Sequence, residues 1–130
     1  MEVKVVIKDN LKYTKEHEWL KLSGDIATMG ITDYAQKELG DVVFVELPEV
    51  GRDVEQMKTF GTIEAVKAVS DIFSPVSGKV TEVNTNLSSQ SNLINSDPYG
   101  EGWIIKIKIK NPKELDVLLS PAEYRNLVGA

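Results

Sequence analysis

A single lysine, Lys67, stands between two apolar runs whose composition is typical of β-strands, Thr59–Val66 and Val69–Phe73. Because few residues separate the runs, the pattern predicts a tight hairpin with the lysine at or beside its tip. Such a lysine presents its amine to any approaching enzyme, and its immediate neighbours carry no carboxylate that would compete for that amine. The segment favours a carrier that bears its chemistry on a modified lysine. The alternative is an ordinary solvated hairpin lysine.

Two carboxylates lie near this lysine on the flanking runs. Glu64 precedes Lys67 and Asp71 follows it. In extended strands these side chains could form acidic contact sites for the surface of a partner protein. Their spacing is not that of a general acid and base, so we interpret them as recognition groups.

Elsewhere in the chain, few residues have the types and spacing that catalysis requires. His17 is the only histidine, and its neighbours Glu16 and Glu18 are expected to raise its pKa through their charge. One histidine cannot supply a multi-histidine metal site, and we interpret it as a partly exposed turn residue. The sequence contains no Gly-x-Ser-x-Gly elbow and no glycine-rich phosphate loop. These observations predict a non-catalytic protein without a metal site.

Composition excludes further classes of function. The chain has 130 residues, a formal net charge of −5, a pI near 4.9 and no cysteine. An acidic chain without a basic cluster is not expected to bind nucleic acid. No apolar run approaches the length of a membrane span, and the first residues resemble neither a signal peptide nor a transit peptide. We therefore expect a cytoplasmic protein, or one of the mitochondrial matrix if this is the mature form of a eukaryotic protein.

Hydrophobic periodicity predicts a mostly β domain with short helices. Thr32 is a plausible N-cap for a short helix over Asp33–Leu39, and Gly40 would end that helix. Asn111 and Ser120 each precede a proline and a glutamate, which predicts two C-terminal helices. Residues 84–98 are expected to form a loop, and residues 1–8 a short strand or a loose arm. The remaining predicted strands are Glu18–Leu22, Ile26–Ile31, Val42–Leu47, Lys79–Val83 and Trp103–Ile109.

Six segments closely resemble the H proteins of the glycine cleavage system, a family of lipoyl carriers. They are LKYTKEHEW at 11–19, GITDYAQKELGDVVFVELP at 30–48, IEAVKA at 63–68, SPVSG at 74–78, NSDPYGEGW at 95–103 and EY at 123–124. The resemblance implies a barrel-sandwich hybrid fold and a single lipoyl-carrier domain over residues 11–130, with residues 1–10 outside it. It also implies lipoate joined by an amide to Lys67, with Glu64 recognised during lipoylation.

The resemblance further implies a place in one-carbon metabolism and glycine catabolism. The swinging arm would carry an aminomethyl group from a pyridoxal-phosphate glycine decarboxylase to a tetrahydrofolate-dependent aminomethyltransferase. A dihydrolipoamide dehydrogenase would then reoxidise the arm, and a lipoate-attaching enzyme would install it. No nucleic acid and no membrane is implied.

A cleft for the loaded arm is also implied by the family. The matching positions combine two carboxylates with four apolar side chains: Glu18, Asp71, Ile31, Ala35, Leu39 and Ala68. The loaded arm ends in a primary amine, which is cationic at neutral pH. A carboxylate would hold such an amine, and apolar walls would exclude water from its carbon–sulfur linkage.

The chain departs from the family pattern at two places. Ala65 replaces a serine that is usual in the lysine motif, and Met57 occupies a turn position where glycine is common. The lysine itself leaves two other carriers open. One is a donor that relays lipoyl groups to 2-oxo acid dehydrogenases. The other is a biotin carrier, which Val66 and Ala68 disfavour because methionines usually flank a biotinyl lysine.

Overall fold

Antiparallel strands carry most of the architecture. The computed structural model describes residues 4–130. Its helices are α1 (Asp33–Leu39), α2 (Leu93–Ser96) and α3 (Pro121–Val128), with 3-10 turns at Thr85–Ser88 and Pro112–Val117. Its strands are β1 (Lys12–Tyr13), β2 (Glu18–Ser23), β3 (Ile26–Ile31), β4 (Val42–Glu46), β5 (Asp53–Val54), β6 (Thr59–Ala65), β7 (Val69–Phe73), β8 (Gly78–Val83) and β9 (Ile105–Ile109).

The strands form two sheets that share one core. A six-stranded sheet has the order β1-β2-β3-β9-β8-β5, and a three-stranded sheet has the order β4-β6-β7. Apolar side chains from both sheets are buried together, among them Leu20 and Ile107 from the larger sheet and Ile63 and Ile72 from the smaller. The prediction of a mostly β fold with short helices is confirmed. Neither sheet closes into a barrel within residues 4–130, so the sandwich describes the fold better than the barrel.

Helix α1 follows β3 directly and has the predicted ends. Thr32 is the N-cap, and its hydroxyl accepts a hydrogen bond from the backbone N–H of Ala35 at 3.2 Å. Gly40 ends the helix with a positive φ of 80°, and its N–H donates to the carbonyl of Gln36. Asp33 lies in the first turn, where its charge is favourable. The sequence therefore predicts both boundaries of this helix correctly.

Short elements account for most of the differences from the prediction. The segment 84–98, expected to be a loop, contains a 3-10 turn and α2, and Leu87 and Ile94 anchor it in the core. The first predicted C-terminal helix is a 3-10 turn, and after it Leu119 pairs with Tyr13 in a single bridge. Strands β1 and β5 have two residues each, which is too short to produce a periodic signal.

The N-terminal segment is tied to the domain by side chains. Residues 1–3 of the predicted strand or arm lie outside the described residues, and residues 4–8 pair with no strand. The backbone N–H of Val6 donates to the Asp33 carboxylate at 2.9 Å, and the Tyr99 hydroxyl donates to the Val6 carbonyl at 2.6 Å. The Tyr13 hydroxyl donates to the carbonyl of Lys8 at 2.7 Å. Isolated polar contacts of this kind leave no periodic trace in the sequence.

Met57 adopts a backbone conformation that glycine accommodates more easily than other residues. Its φ is 60°, in the left-handed region, and its N–H donates to the Ser74 carbonyl at 2.7 Å. A left-handed conformation costs a non-glycine residue about 1–2 kcal/mol. Glycine avoids this cost but loses more conformational entropy on folding, which offsets part of the gain in stability. We expect Met57→Gly to raise the free energy of unfolding by about 0.5–1 kcal/mol. Urea denaturation measures this, and a Met57→Ala variant that gained as much would contradict the explanation.

Candidate functional site

The hairpin of β6 and β7 carries Lys67 at its tip. The two strands pair with Glu64 opposite Val69, and the N–H of Ala65 donates to the Ala68 carbonyl at 2.7 Å. The hairpin is braced from the side, because the N–H of Val66 donates to the carbonyl of Asp41 at 3.0 Å. Lys67 is exposed, as the spacing of the two apolar runs predicts.

The Lys67 side chain lies next to the end of α1. A Cβ built on Gly40 would be 3.3 Å from Cε of Lys67 and 3.9 Å from its Nζ. Glycine at this position therefore serves both the positive φ and the passage of the lysine. Across residues 4–130, none of the four ion pairs includes Lys67. The amine is accessible and is not held by a carboxylate.

A cleft of about 310 Å³ opens beside the hairpin. Its walls come from α1, the edge strand β7 and the turn that leads into β2. The lining residues are Glu16, His17, Glu18, Ile31, Tyr34, Ala35, Glu38, Leu39, Ile63, Ser70 and Asp71. Carboxylates and apolar side chains thus meet in one concave surface, at the small end of the range for ligand sites.

Glu18 is a buried carboxyl in this cleft, with 1% of its surface exposed. One oxygen is 2.5 Å from the Thr14 hydroxyl, and the other accepts the backbone N–H of Phe73 at 3.1 Å. Burial raises the pKa of Glu18 to about 8, although both hydrogen bonds oppose the shift. In the absence of a nearby cation, the group is therefore mainly protonated at neutral pH.

His17 forms part of the cleft wall, and the prediction of a raised pKa is wrong. Desolvation lowers the pKa of His17, and this effect outweighs the charges of Glu16 and Glu38, which raise it. The imidazole is packed by two distant aromatic residues. Its Nδ1 is 2.9 Å from the Tyr124 hydroxyl, and its ring centroid is 4.8 Å from that of Tyr34. The histidine is half-buried in a turn, with a φ of 71°.

A hydroxyl from the last helix fixes this wall. The Tyr124 oxygen lies 2.9 Å from His17 and 2.7 Å from the Thr32 hydroxyl that caps α1. Tyr124 is buried and stacks on Tyr13 with ring centroids 4.5 Å apart. Helix α3 thereby positions two walls of the cleft at once.

The structure brings together five of the six expected cleft positions: Glu18, Asp71, Ile31, Ala35 and Leu39. Ala68 instead lies beside Lys67 at the exposed hairpin tip, outside the lining. Glu64 is exposed and lies opposite Val69 on the hairpin, away from the cleft. Sequence reasoning missed Tyr34 and Glu38 as lining residues. Tyr34 and Glu38 are four residues apart on α1, as Ala35 and Leu39 are, and this spacing places each pair on one side of the helix.

Comparison with known proteins gives a consistent result. A family model described as glycine cleavage H-protein matches residues 11–130. The chain is 61% identical over 115 residues to a glycine cleavage system H protein of Symbiobacterium thermophilum, covering 88% of this chain and 90% of the relative. It is 58% identical over 118 residues to a mitochondrial glycine cleavage system H protein of Oryza sativa subsp. indica, covering 91% and 72% of the two chains.

A solved structure agrees with these sequence matches. The crystal structure of a glycine cleavage system H protein from Mycobacterium marinum superposes with a TM-score of 0.85 at 37% identity. The match covers 95% of this chain and 100% of the other. Across residues 4–130, no helix combines the length and the apolar character that crossing a bilayer requires.

Proposed function

The chain belongs to the glycine cleavage H-protein family, and from this premise we propose that it carries lipoate as an amide on Lys67. The observation that supports the proposal most directly is the amine itself, exposed at a hairpin tip and unpaired with any described carboxylate. Members of this family are non-catalytic lipoyl carriers in glycine cleavage. The proposal assigns that role to this chain and to this lysine.

The site fits a lipoyl-lysine in reach and shape. Lysine and lipoate together span roughly 14 Å, from bond lengths near 1.5 Å. Asp71 lies four residues beyond Lys67, so the chain between them spans at most about 13 Å. The arm can therefore reach the cleft without any movement of the hairpin. When attached, lipoate supplies the dithiol that carries the aminomethyl group, and the protein supplies its root and its resting place.

The cleft residues would hold the end of the arm in complementary ways. Ile31, Ala35 and Leu39 offer apolar walls that exclude water. Asp71 is exposed at the rim, whereas Glu18 is buried within the cleft. A cationic amine close to Glu18 would lower its pKa and favour its ionised form. The carboxyl would then bind the charged amine and remain neutral when the cleft holds no cation.

Partners follow from the carrier role. We propose that the arm visits a pyridoxal-phosphate glycine decarboxylase, a tetrahydrofolate-dependent aminomethyltransferase and a dihydrolipoamide dehydrogenase in turn. A lipoate-attaching enzyme would first recognise the hairpin, with Glu64 as one contact. Because the arm is tethered, each docked enzyme meets it at a high effective concentration. The chain's net charge of −5 would speed encounter with basic partner surfaces.

Reconstitution of glycine cleavage tests the role. The lipoylated protein, mixed with the three enzymes, glycine, tetrahydrofolate and NAD, is expected to support NADH formation, and the unmodified protein is not. A parallel assay offers an unlipoylated 2-oxo acid dehydrogenase domain as the acceptor. Lipoyl transfer to that domain without glycine-dependent NADH formation would replace the carrier role with a relay role.

A further inference from the structure

The outer face of the three-stranded sheet exposes an unusual number of apolar side chains. In β4 a register shift places two residues, Val43 and Phe44, against one residue of β6. This is the arrangement of a β-bulge, which redirects side chains locally. Both Val43 and Phe44 point away from the core, with 52% and 54% of their surfaces exposed. A regular strand would have turned one of the two inward.

Strand register aligns these residues with the hairpin. Phe44 lies opposite Glu64, and Glu64 lies opposite Val69, so the three form one row across the sheet. We call this the outer row. Val69 is 68% exposed, and Val66 at the tip is 75% exposed. The outer row therefore continues an apolar strip up to the residue that precedes Lys67.

Carboxylates lie within this strip and beside it. Glu64 lies within the outer row, and the next row contains Glu46, Thr62 and Asp71. Glu46, Glu64 and Asp71 are all exposed. A surface on which exposed apolar side chains and carboxylates alternate is complementary to a partner that presents apolar and basic side chains together.

The length of the lysine side chain, with or without lipoate, indicates which partner covers this strip. An unmodified lysine extends roughly 6 Å, whereas a lipoyl-lysine extends roughly 14 Å. An enzyme that acylates the bare amine must therefore approach the hairpin far more closely than one that acts at the end of the arm. Val69 is only two residues from Lys67, or about 7 Å along the strand. An acylating enzyme that approaches along the outer row therefore contacts Val69 as it reaches the amine.

We propose that the outer row of Phe44, Glu64 and Val69, together with Val43 and Val66, docks the enzyme that attaches lipoate to Lys67. The inference rests on the proposed lipoylation of Lys67 and adds the apolar strip to its recognition. The partner presents an apolar patch that covers Phe44 and basic side chains that meet Glu64 and the carboxylates of the next row. The bulge in β4 serves this surface, because it turns Phe44 outward beside Glu64.

Acylation kinetics test this surface. The unmodified protein is incubated with lipoate, ATP and a purified lipoate-attaching enzyme, and intact mass follows the product. Phe44→Ala and Val69→Ala are each expected to lower kcat/KM about tenfold, mainly through KM, as truncation of a central interface residue does. Val117→Ala is the matched control, because Val117 is also 68% exposed but lies in the 3-10 turn before α3. It is expected to react like the wild type.

A competition assay measures docking of the enzyme separately from acyl transfer. Lys67→Arg protein is expected to inhibit acylation of the wild type competitively, and Lys67→Arg combined with Phe44→Ala is expected to inhibit about tenfold more weakly. Circular dichroism and thermal unfolding confirm that each variant is folded.

Three results would overturn the docking surface. In the first, the wild type is acylated, and Phe44→Ala and Val69→Ala are acylated at the same rate. This result contradicts the docking surface and leaves the carrier role intact. The second is normal acylation of these variants with impaired exchange at the glycine decarboxylase, which assigns the face to that enzyme. In the third, the wild type acquires no acyl group at all, and the proposed function fails with the docking surface.

Discussion

Replacing Lys67 with arginine is expected to leave the protein folded and to abolish both its acylation and its carrier activity. A guanidinium stays protonated in proteins, so it has no free electron pair with which to attack an activated acyl group. Lys67 is exposed and forms none of the ion pairs within residues 4–130. Stability should therefore change by less than about 0.5 kcal/mol. Intact mass and glycine-dependent NADH formation measure the two losses.

A neighbouring lysine provides the control for this substitution. Lys58 is also exposed and lies in the turn before β6. Lys58→Arg is expected to accept one acyl group and to support NADH formation at the wild-type rate. If the Lys67→Arg protein still gained an acyl group, the modified amine would be a different one, and peptide mapping would locate it.

Replacing Glu18 with glutamine is expected to stabilise the protein at alkaline pH. Folding raises the pKa of Glu18 from 4.5 to about 8, so the folded state binds a proton that the unfolded state has released between these values. Wild-type stability must therefore fall as pH rises from about 4.5 to about 8. Glutamine does not titrate, and its single oxygen can accept from Phe73 N–H, although its amide group cannot accept from the Thr14 hydroxyl as the carboxyl does. Relative to the wild type, the stability of the Glu18→Gln protein should rise by roughly 4–5 kcal/mol between pH 4 and pH 8.5.

Denaturant unfolding across this pH range measures the effect. Glu16→Gln is the matched control, because Glu16 is an exposed neighbour that should change the free energy of unfolding by less than about 0.5 kcal/mol. Parallel pH profiles for the wild type and Glu18→Gln would show that Glu18 is already ionised in the folded protein. A confirmed gain would mean that the chain retains a destabilising acid in its cleft, as functional sites often do.

Local patterns predicted the elements whose signals lie within a few residues. The runs on either side of Lys67 contain enough alternation to locate the hairpin, and Thr32 and Gly40 specify α1 at both ends. The cleft was expected through resemblance, because its carboxyl and its apolar wall come from β2, β3 and α1, which no local pattern connects.

Properties set by distant packing could not be predicted in this way. His17 has its pKa lowered because burial outweighs the adjacent acid, and its contact with Tyr124 spans 107 positions of sequence. The bulge at Val43 leaves two successive apolar residues outside, whereas a regular run of valine and phenylalanine reads as a buried strand. Both differences arise where tertiary contacts override a short-range expectation.

The position of Tyr124 makes the cleft depend on the end of the chain. The strands around the acceptor amine pair through residues 42–73. The wall formed by His17 and Thr32 instead takes its hydrogen-bonding hydroxyl from α3. Trimming of the carboxyl end by a protease would therefore damage the shelter for the cargo without removing any strand pairing of the acceptor hairpin.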